Sequence, residues 1–172
     1  MLTASQSCLS RCMRYVTYYS CMCYNPSSSP IRLDSDVQKA TWKNTTPFVP
    51  SVHACKVIKV YDGDTITVAA KLHDSFPVNR FSVRLSGIDT PEMTSKNENE
   101  KKRAILAKTY LEHMLLNQTV VLKDVSTEKY GRILATVYIN GTNVNELMLS
   151  NNYAVRYDGG KKKIPEEWKN SV

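Results

Sequence analysis

The sequence predicts a mainly β, α+β fold: a five-stranded barrel of the OB type, with an amphipathic helix inserted after the third strand and a short second helix. Three observations carry that expectation. Apolar and polar residues alternate at the period of a half-buried strand, as at Phe81, Val83 and Leu85. Asp62-Gly63 lies between two apolar runs, Val57 to Val60 and Ile66 to Ala70, which is a strong hairpin signal. Ala104, Ala107, Leu111 and Met114, completed by Leu115, recur at helical spacing and give one long helix an apolar stripe.

Taken in order, strands are expected near residues 55–61, 64–71 and 79–86, with a wide turn from Leu72 to Pro77 before the third. Gly87 and Pro91 interrupt the alternation, so Asp89 to Glu92 leave the third strand as a turn. Ser95-Lys96-Asn97-Glu98 has the form of a capping box and should open the helix, which ends near Asn117. Strands follow at Thr119 to Lys123 and Ile133 to Ile139. Asn140-Gly141 makes a turn, Asn143 to Leu149 a short helix, and Tyr153 to Tyr157 a last short strand. Pro165 favours a helical start just before Trp168.

Composition divides the chain into two parts. Residues 1–53 form a Cys-rich N-terminal segment and arm, expected to be flexible; residues 54–172 form the barrel domain. The first part ends its Cys-rich stretch in Asn25-Pro26-Ser27-Ser28-Ser29-Pro30, a linker by composition, and continues with Trp42 and Phe48 in no clear period. Cys8, Cys12, Cys21 and Cys23 match no standard zinc spacing. They read as a thiol-bearing tail, with reversible acylation, and hence membrane association, or a weak signal peptide as alternatives. Cys55 heads a strand and reads as a small buried hydrophobe. No run of about eighteen uncharged apolar residues indicates a transmembrane helix. A net charge of +7, spread along the chain, favours a polyanionic partner.

The chemistry-bearing residues fall in three stretches. Arg84-Leu85-Ser86-Gly87-Ile88-Asp89-Thr90-Pro91-Glu92 places a fixed cation beside two carboxylates. Since Phe81, Val83 and Leu85 share one strand face, Arg84 points to the other. Such a group can bind a phosphate, a divalent cation, or both. Asp62-Gly63-Asp64-Thr65 adds a second acidic pair, and Lys129-Tyr130-Gly131-Arg132 a second arginine ahead of a strand. Read alone, Asp62 and Asp64 are turn residues and each arginine is a surface salt-bridge residue. Hard carboxylate oxygens at Asp64 and Asp89 suit Ca²⁺, which accepts irregular oxygen geometry. Guanidinium groups stay charged and donate paired bonds to phosphate.

Together these stretches resemble the staphylococcal nuclease (thermonuclease) family, whose signature is Asp-Gly-Asp-Thr, then Arg-Leu-x-Gly-Ile-Asp-Thr-Pro-Glu, then Lys-Tyr-Gly-Arg. The resemblance covers residues 54–163. It implies the OB-type fold and a Ca²⁺-dependent nuclease that cuts DNA and RNA with little sequence preference, leaving a 3′-phosphate. It implies Ca²⁺ held by Asp64, Asp89 and the backbone carbonyl of Thr90, with Asp62 behind them. Arg84 would hold the scissile phosphate, Arg132 the transition state and leaving group, and Glu92 would act as general base. Lys129 and Tyr130 would contact a terminal phosphate and base, and Tyr157 falls near the aromatic platform. The family's longer third helix is expected here to be short or absent. The alternative is a silent OB module that binds RNA or protein; the presence of Asp64, Arg84, Asp89, Glu92 and Arg132 favours the enzyme. A monomer is expected, and Ca²⁺ dependence favours a secreted or membrane-associated location.

Overall fold

The computed structural model describes residues 32–128, 130–160 and 165–169. Two compact units divide the chain, Met1–Thr45 and Thr46–Val172. In the first, the described residues form one turn of helix, α1 (Ser35–Gln38), capped by the Asp34 side chain accepting from the Asp36 amide. None of its described side chains is buried.

The second unit is a barrel. Its strands are β1 (Ala54–Val60), β2 (Thr65–Ala70), β3 (Asn79–Leu85), β5 (Thr119–Thr127) and β6 (Ile133–Ile139), with a two-residue strand β4 (Ile88–Asp89) after β3. β1 pairs antiparallel with β2 and β5, β2 with β3, and β5 with β6. A parallel pairing of β3 with β6, Val83 opposite Ile133, closes the ring. The closed five-stranded barrel is the expected OB-type architecture, and it leaves none of these strands with a bare edge. Its interior is filled by Val57, Val60, Ile66, Val68, Val83, Leu85, Val120, Leu122 and Val137. Val52, ahead of β1, belongs to the same core, and the His53 carbonyl accepts from the Leu122 amide at 2.7 Å.

The inserted helix α2 (Glu98–Leu115) buries Ala104, Ala107, Leu111 and Leu115, spaced by three or four residues, the last three of them in that core. Its cap differs from the expected Ser95-to-Glu98 box. Asn97 is the N-cap, accepting from the Asn99 and Glu100 amides at 2.9 and 3.1 Å, so the pattern is Asn97-x-x-Glu100. Ser95 instead donates its hydroxyl to the Glu100 carboxylate and accepts from the Asn97 amide. After β6 come β7 (Thr142–Asn143) and α3 (Val144–Ser150), whose Asn143 N-cap accepts from Glu146. Buried Asn145 ties α3 to the barrel: its Oδ1 accepts from the Val137 amide and its Nδ2 donates to the Ser86 carbonyl. The last strand, β8 (Val155–Arg156), is shorter than the expected Tyr153-to-Tyr157 because its partner β4 has only two residues. The turn beyond Pro165 is a 3₁₀ turn, Glu166–Lys169, lying against α2 with Trp168 buried.

Candidate active site

Three chain reversals bring the charged residues to one end of the barrel. Thr65 of β2 pairs with Arg84 of β3, and the Leu85 amide donates to the Asp64 carbonyl at 2.8 Å. The turn between β1 and β2 is held by the Asp62 carboxylate, which accepts from the Asp64 amide at 3.1 Å. Its Gly63 lies where a Cβ would stand 3.0 Å from the side chains of Ala107 and Thr90, so the turn closes onto α2 only without a side chain. Gly87, at φ +73°, reverses the chain after β3 and returns Asp89 toward Arg84. β4 is then pinned by β8, Asp89 opposite Val155.

The result is a guanidinium shared by two buried carboxylates. Arg84 Nη1 donates to Asp64 Oδ1 at 2.6 Å, and Nη2 donates to Asp89 Oδ1 and to the Ile88 carbonyl, each at 3.2 Å. Asp64 is 4% exposed and Asp89 6%. Burial, the neighbouring Asp62 carboxylate and, less strongly, Asp89 push the Asp64 carboxyl up to about 6, against the pull of Arg84 and the Thr65 hydroxyl. Burial works against the charge on Arg84, yet the two carboxylates outweigh it and hold its pKa above the usual value.

The second arginine arrives by the parallel seam. Arg132 directly precedes Ile133, which pairs with Val83. A tight turn, in which Glu128 donates to the Arg132 carbonyl and Gly131 to the Glu128 carbonyl, folds Arg132 back so that its Nε donates to Glu128 Oε1. Its Nη1 reaches the Thr65 hydroxyl at 3.5 Å. Tyr157 follows β8; its amide donates to the Gly87 carbonyl, and Arg84 Cζ stands 5.8 Å from its ring centre.

An open cleft of about 1000 Å³ is lined by Asp62, Asp64, Arg84, Asp89, Thr90 and Glu92, together with Tyr130, Arg132 and Tyr157. Tyr130 is 72% exposed, free of any core role, and Glu92 is likewise exposed. Lys129 lies outside the described residues. The donor set suits a hard divalent cation: two buried carboxylates and the backbone beside Thr90, all oxygen. Among the described residues no three His, Cys, Asp or Glu side chains gather in metal-binding geometry, so a cation here would complete its shell from carbonyls, water or a phosphate.

Two residues of the site escape the motifs. Glu128 engages Arg132, and its signal is the i, i+4 spacing of opposite charges. Glu100 is only 3% exposed, and its carboxylate accepts from the Ser95 hydroxyl at 2.6 Å and from the Glu92 amide at 3.3 Å. Its signal is the Asn97-x-x-Glu100 box.

Residues 82–170 match the family described as staphylococcal nuclease homologue. An uncharacterized protein of Methanocaldococcus jannaschii is 31% identical over 68% of this chain and 66% of its own length. An uncharacterized endonuclease of Haemophilus influenzae is 30% identical over 61% of this chain and 53% of its own. The thermonuclease of Staphylococcus hyicus is 38% identical over 53% of this chain and 52% of its own. The chain thus spans between half and two thirds of the lengths of these curated relatives.

Proposed function

The chain belongs to the staphylococcal nuclease family, and from that premise we propose that it is a Ca²⁺-dependent nuclease hydrolysing the phosphodiester bonds of DNA and RNA. The observation that supports this best is Arg84 bridging Asp64 and Asp89 in an open cleft that Arg132 also lines. A cleft with both fixed cations and a paired carboxylate suits a substrate that is an anion and a reaction that builds negative charge.

In this reading Arg84 binds the scissile phosphate through its planar fork, and Arg132 faces the oxygens that gain charge in the transition state. Glu92 takes the proton from the attacking water. The water oxygen bonds to phosphorus as the bond to the 5′ oxygen breaks; the 5′ oxygen picks up a proton and the phosphate stays on the 3′ side. Asp64, Asp89 and the Thr90 carbonyl would hold the cation, which lowers the pKa of water and neutralises phosphate charge. Tyr130 and Tyr157 supply ring faces against which bases stack.

Degradation of plasmid DNA and of single-stranded RNA, with Ca²⁺, with Mg²⁺ and with chelator, tests the reading. Cleavage is expected with Ca²⁺ and lost in chelator; Mg²⁺, which insists on a regular octahedron, should support little. Binding of nucleic acid without cleavage under every condition would leave the silent OB module instead.

A further inference from the structure

Glu100 poses a question that its place in the helix does not answer. A carboxylate that is 3% exposed carries a heavy desolvation cost unless its oxygens are satisfied. Helix capping at this end is already done by Asn97. Both Glu100 oxygens turn instead to the preceding loop: Oε2 accepts from the Ser95 hydroxyl at 2.6 Å and Oε1 from the Glu92 amide at 3.3 Å. The same Ser95 hydroxyl accepts from the Asn97 amide at 3.1 Å, and the Ser95 amide donates to the Glu92 carbonyl at 3.1 Å. Every one of these bonds ends on the segment that begins with Glu92.

We propose that Glu100 is a positioning residue for Glu92: it fixes the Glu92 backbone to α2 and so sets where the exposed Glu92 side chain stands in the cleft. The inference rests on the nuclease reading for its kinetic meaning only. Glu92 follows Asp89 and Thr90, which are buried at the cleft floor, so its backbone is anchored on that side by the barrel. On the other side the Glu100 carboxylate ties the Glu92 amide and the Ser95 hydroxyl to α2. α2 is a rigid anchor because Ala107, Leu111 and Leu115 pack it into the core. A carboxylate suits the task because each oxygen takes one donor, and charge-assisted bonds are stronger than neutral ones.

The test uses the full chain and four variants: Glu100→Ala, Glu100→Gln, Ser95→Ala and Glu92→Gln. Glu100→Ala should lower kcat roughly tenfold with KM for nucleic acid unchanged, since a misplaced general base weakens the chemical step and not binding. Glu100→Gln keeps one acceptor oxygen and should recover most of the loss. Ser95→Ala leaves the helix cap intact and should give a smaller loss with the same split. Adding Glu100→Ala to Glu92→Gln should cost nothing further, because the residue acts through Glu92. Hydrogen exchange at the Glu92 amide should speed up in Glu100→Ala. An unchanged kcat, an equal loss in the Glu92→Gln background, or an amide that exchanges at the wild-type rate would each overturn the proposal. A wild type that cleaves no nucleic acid would sink the nuclease reading alone, and the exchange rate would still decide the placement of Glu92.

Discussion

Gly63→Ala tests the site through packing alone. The new Cβ would stand 3.0 Å from Ala107 Cβ and from Thr90 Cβ and Cγ2, where carbon atoms prefer about 3.5–4.0 Å. The turn must therefore move from α2 by roughly half an ångström, or Thr90 must give way. Overpacking of this kind costs about 1–3 kcal/mol. Alanine restricts the unfolded chain and returns about 0.4–1 kcal/mol, because the backbone at Gly63 is not in the left-handed region. The net loss is on the order of 1–2 kcal/mol, which lowers the melting temperature by roughly 3–8 °C in a domain of this size. The displaced atoms lie beside Asp64 and Thr90, so kcat should fall by about tenfold, more than the stability loss alone explains. Thermal unfolding and steady-state cleavage of Gly63→Ala, Ala107→Gly and the double variant measure the coupling. Ala107→Gly costs about 1 kcal/mol by itself in a helix but opens the space, so the double variant should beat the sum of the singles. A Gly63→Ala protein that is as stable and active as wild type would refute the close approach, and fully additive singles would place the crowding on Thr90 rather than on α2.

Arg84→Lys and Arg132→Lys should each reduce kcat by about 10²–10³-fold although charge is kept, since an ammonium lacks the paired donors; near-normal turnover in either would make that arginine a salt-bridge residue. Asp64 has a folded pKa of about 6 against an ordinary 3.8, so the stability it contributes is full below 3.8 and is lost as pH rises through about 6. In chelator, Asp64→Asn should therefore melt at or above wild type at pH 7, and its melting temperature should vary less between pH 4 and 7; a variant clearly less stable at pH 7 would contradict this. A chain starting at residue 46 should keep the wild-type urea midpoint, whereas one starting at residue 54 loses buried Val52 and the acceptor for the Leu122 amide, at about 2–4 kcal/mol; equal midpoints would show those contacts to be idle. Burial pushes the Cys55 thiol up to about 11, so in the folded protein it should resist alkylation at pH 8 and react once urea unfolds the chain; rapid labelling at Cys55 itself in the native protein, read by peptide mapping, would place it elsewhere.

Much of the architecture is legible in the sequence because strand alternation and the helical stripe are local signals. Ile66, Val68, Val83, Leu85, Val120 and Leu122 all face inward as their spacing requires. The alternation misleads in β1, where the register shifts between Val57 and Lys59. Ile58 is exposed as the period from Val57 requires, but past the bulge it is Val60 that turns inward where the simple period would bury Lys59. β4 and β8, two residues each, carry no period at all and exist only as each other's partners. The charged motifs are legible because they lie in short turns. Glu100 is not, because a glutamate in a first helical turn looks like any dipole-friendly residue until its partners eight and five residues away are seen. The domain boundary is blurred for a similar reason: Val52 sits in a polar stretch with no alternation, yet it is buried.

The parallel seam of β3 and β6 bears on how the molecule reaches its final form. The other barrel pairings are antiparallel, and the first two join consecutive strands that can zip as hairpins early in folding. The seam joins segments far apart in the chain, with α2 and β5 between them, so its loop-closure cost falls due late. Arg84 sits within the seam and Arg132 at its mouth. A partly assembled chain with its hairpins and helix in place would therefore hold both acidic turns and Arg84, which the β2–β3 hairpin already sets beside Asp64, but not the opposing Arg132. If the chain is the nuclease proposed above, phosphodiester cleavage would then report the last closing event of the barrel, and a newly made chain would stay harmless to surrounding nucleic acid until that event is complete.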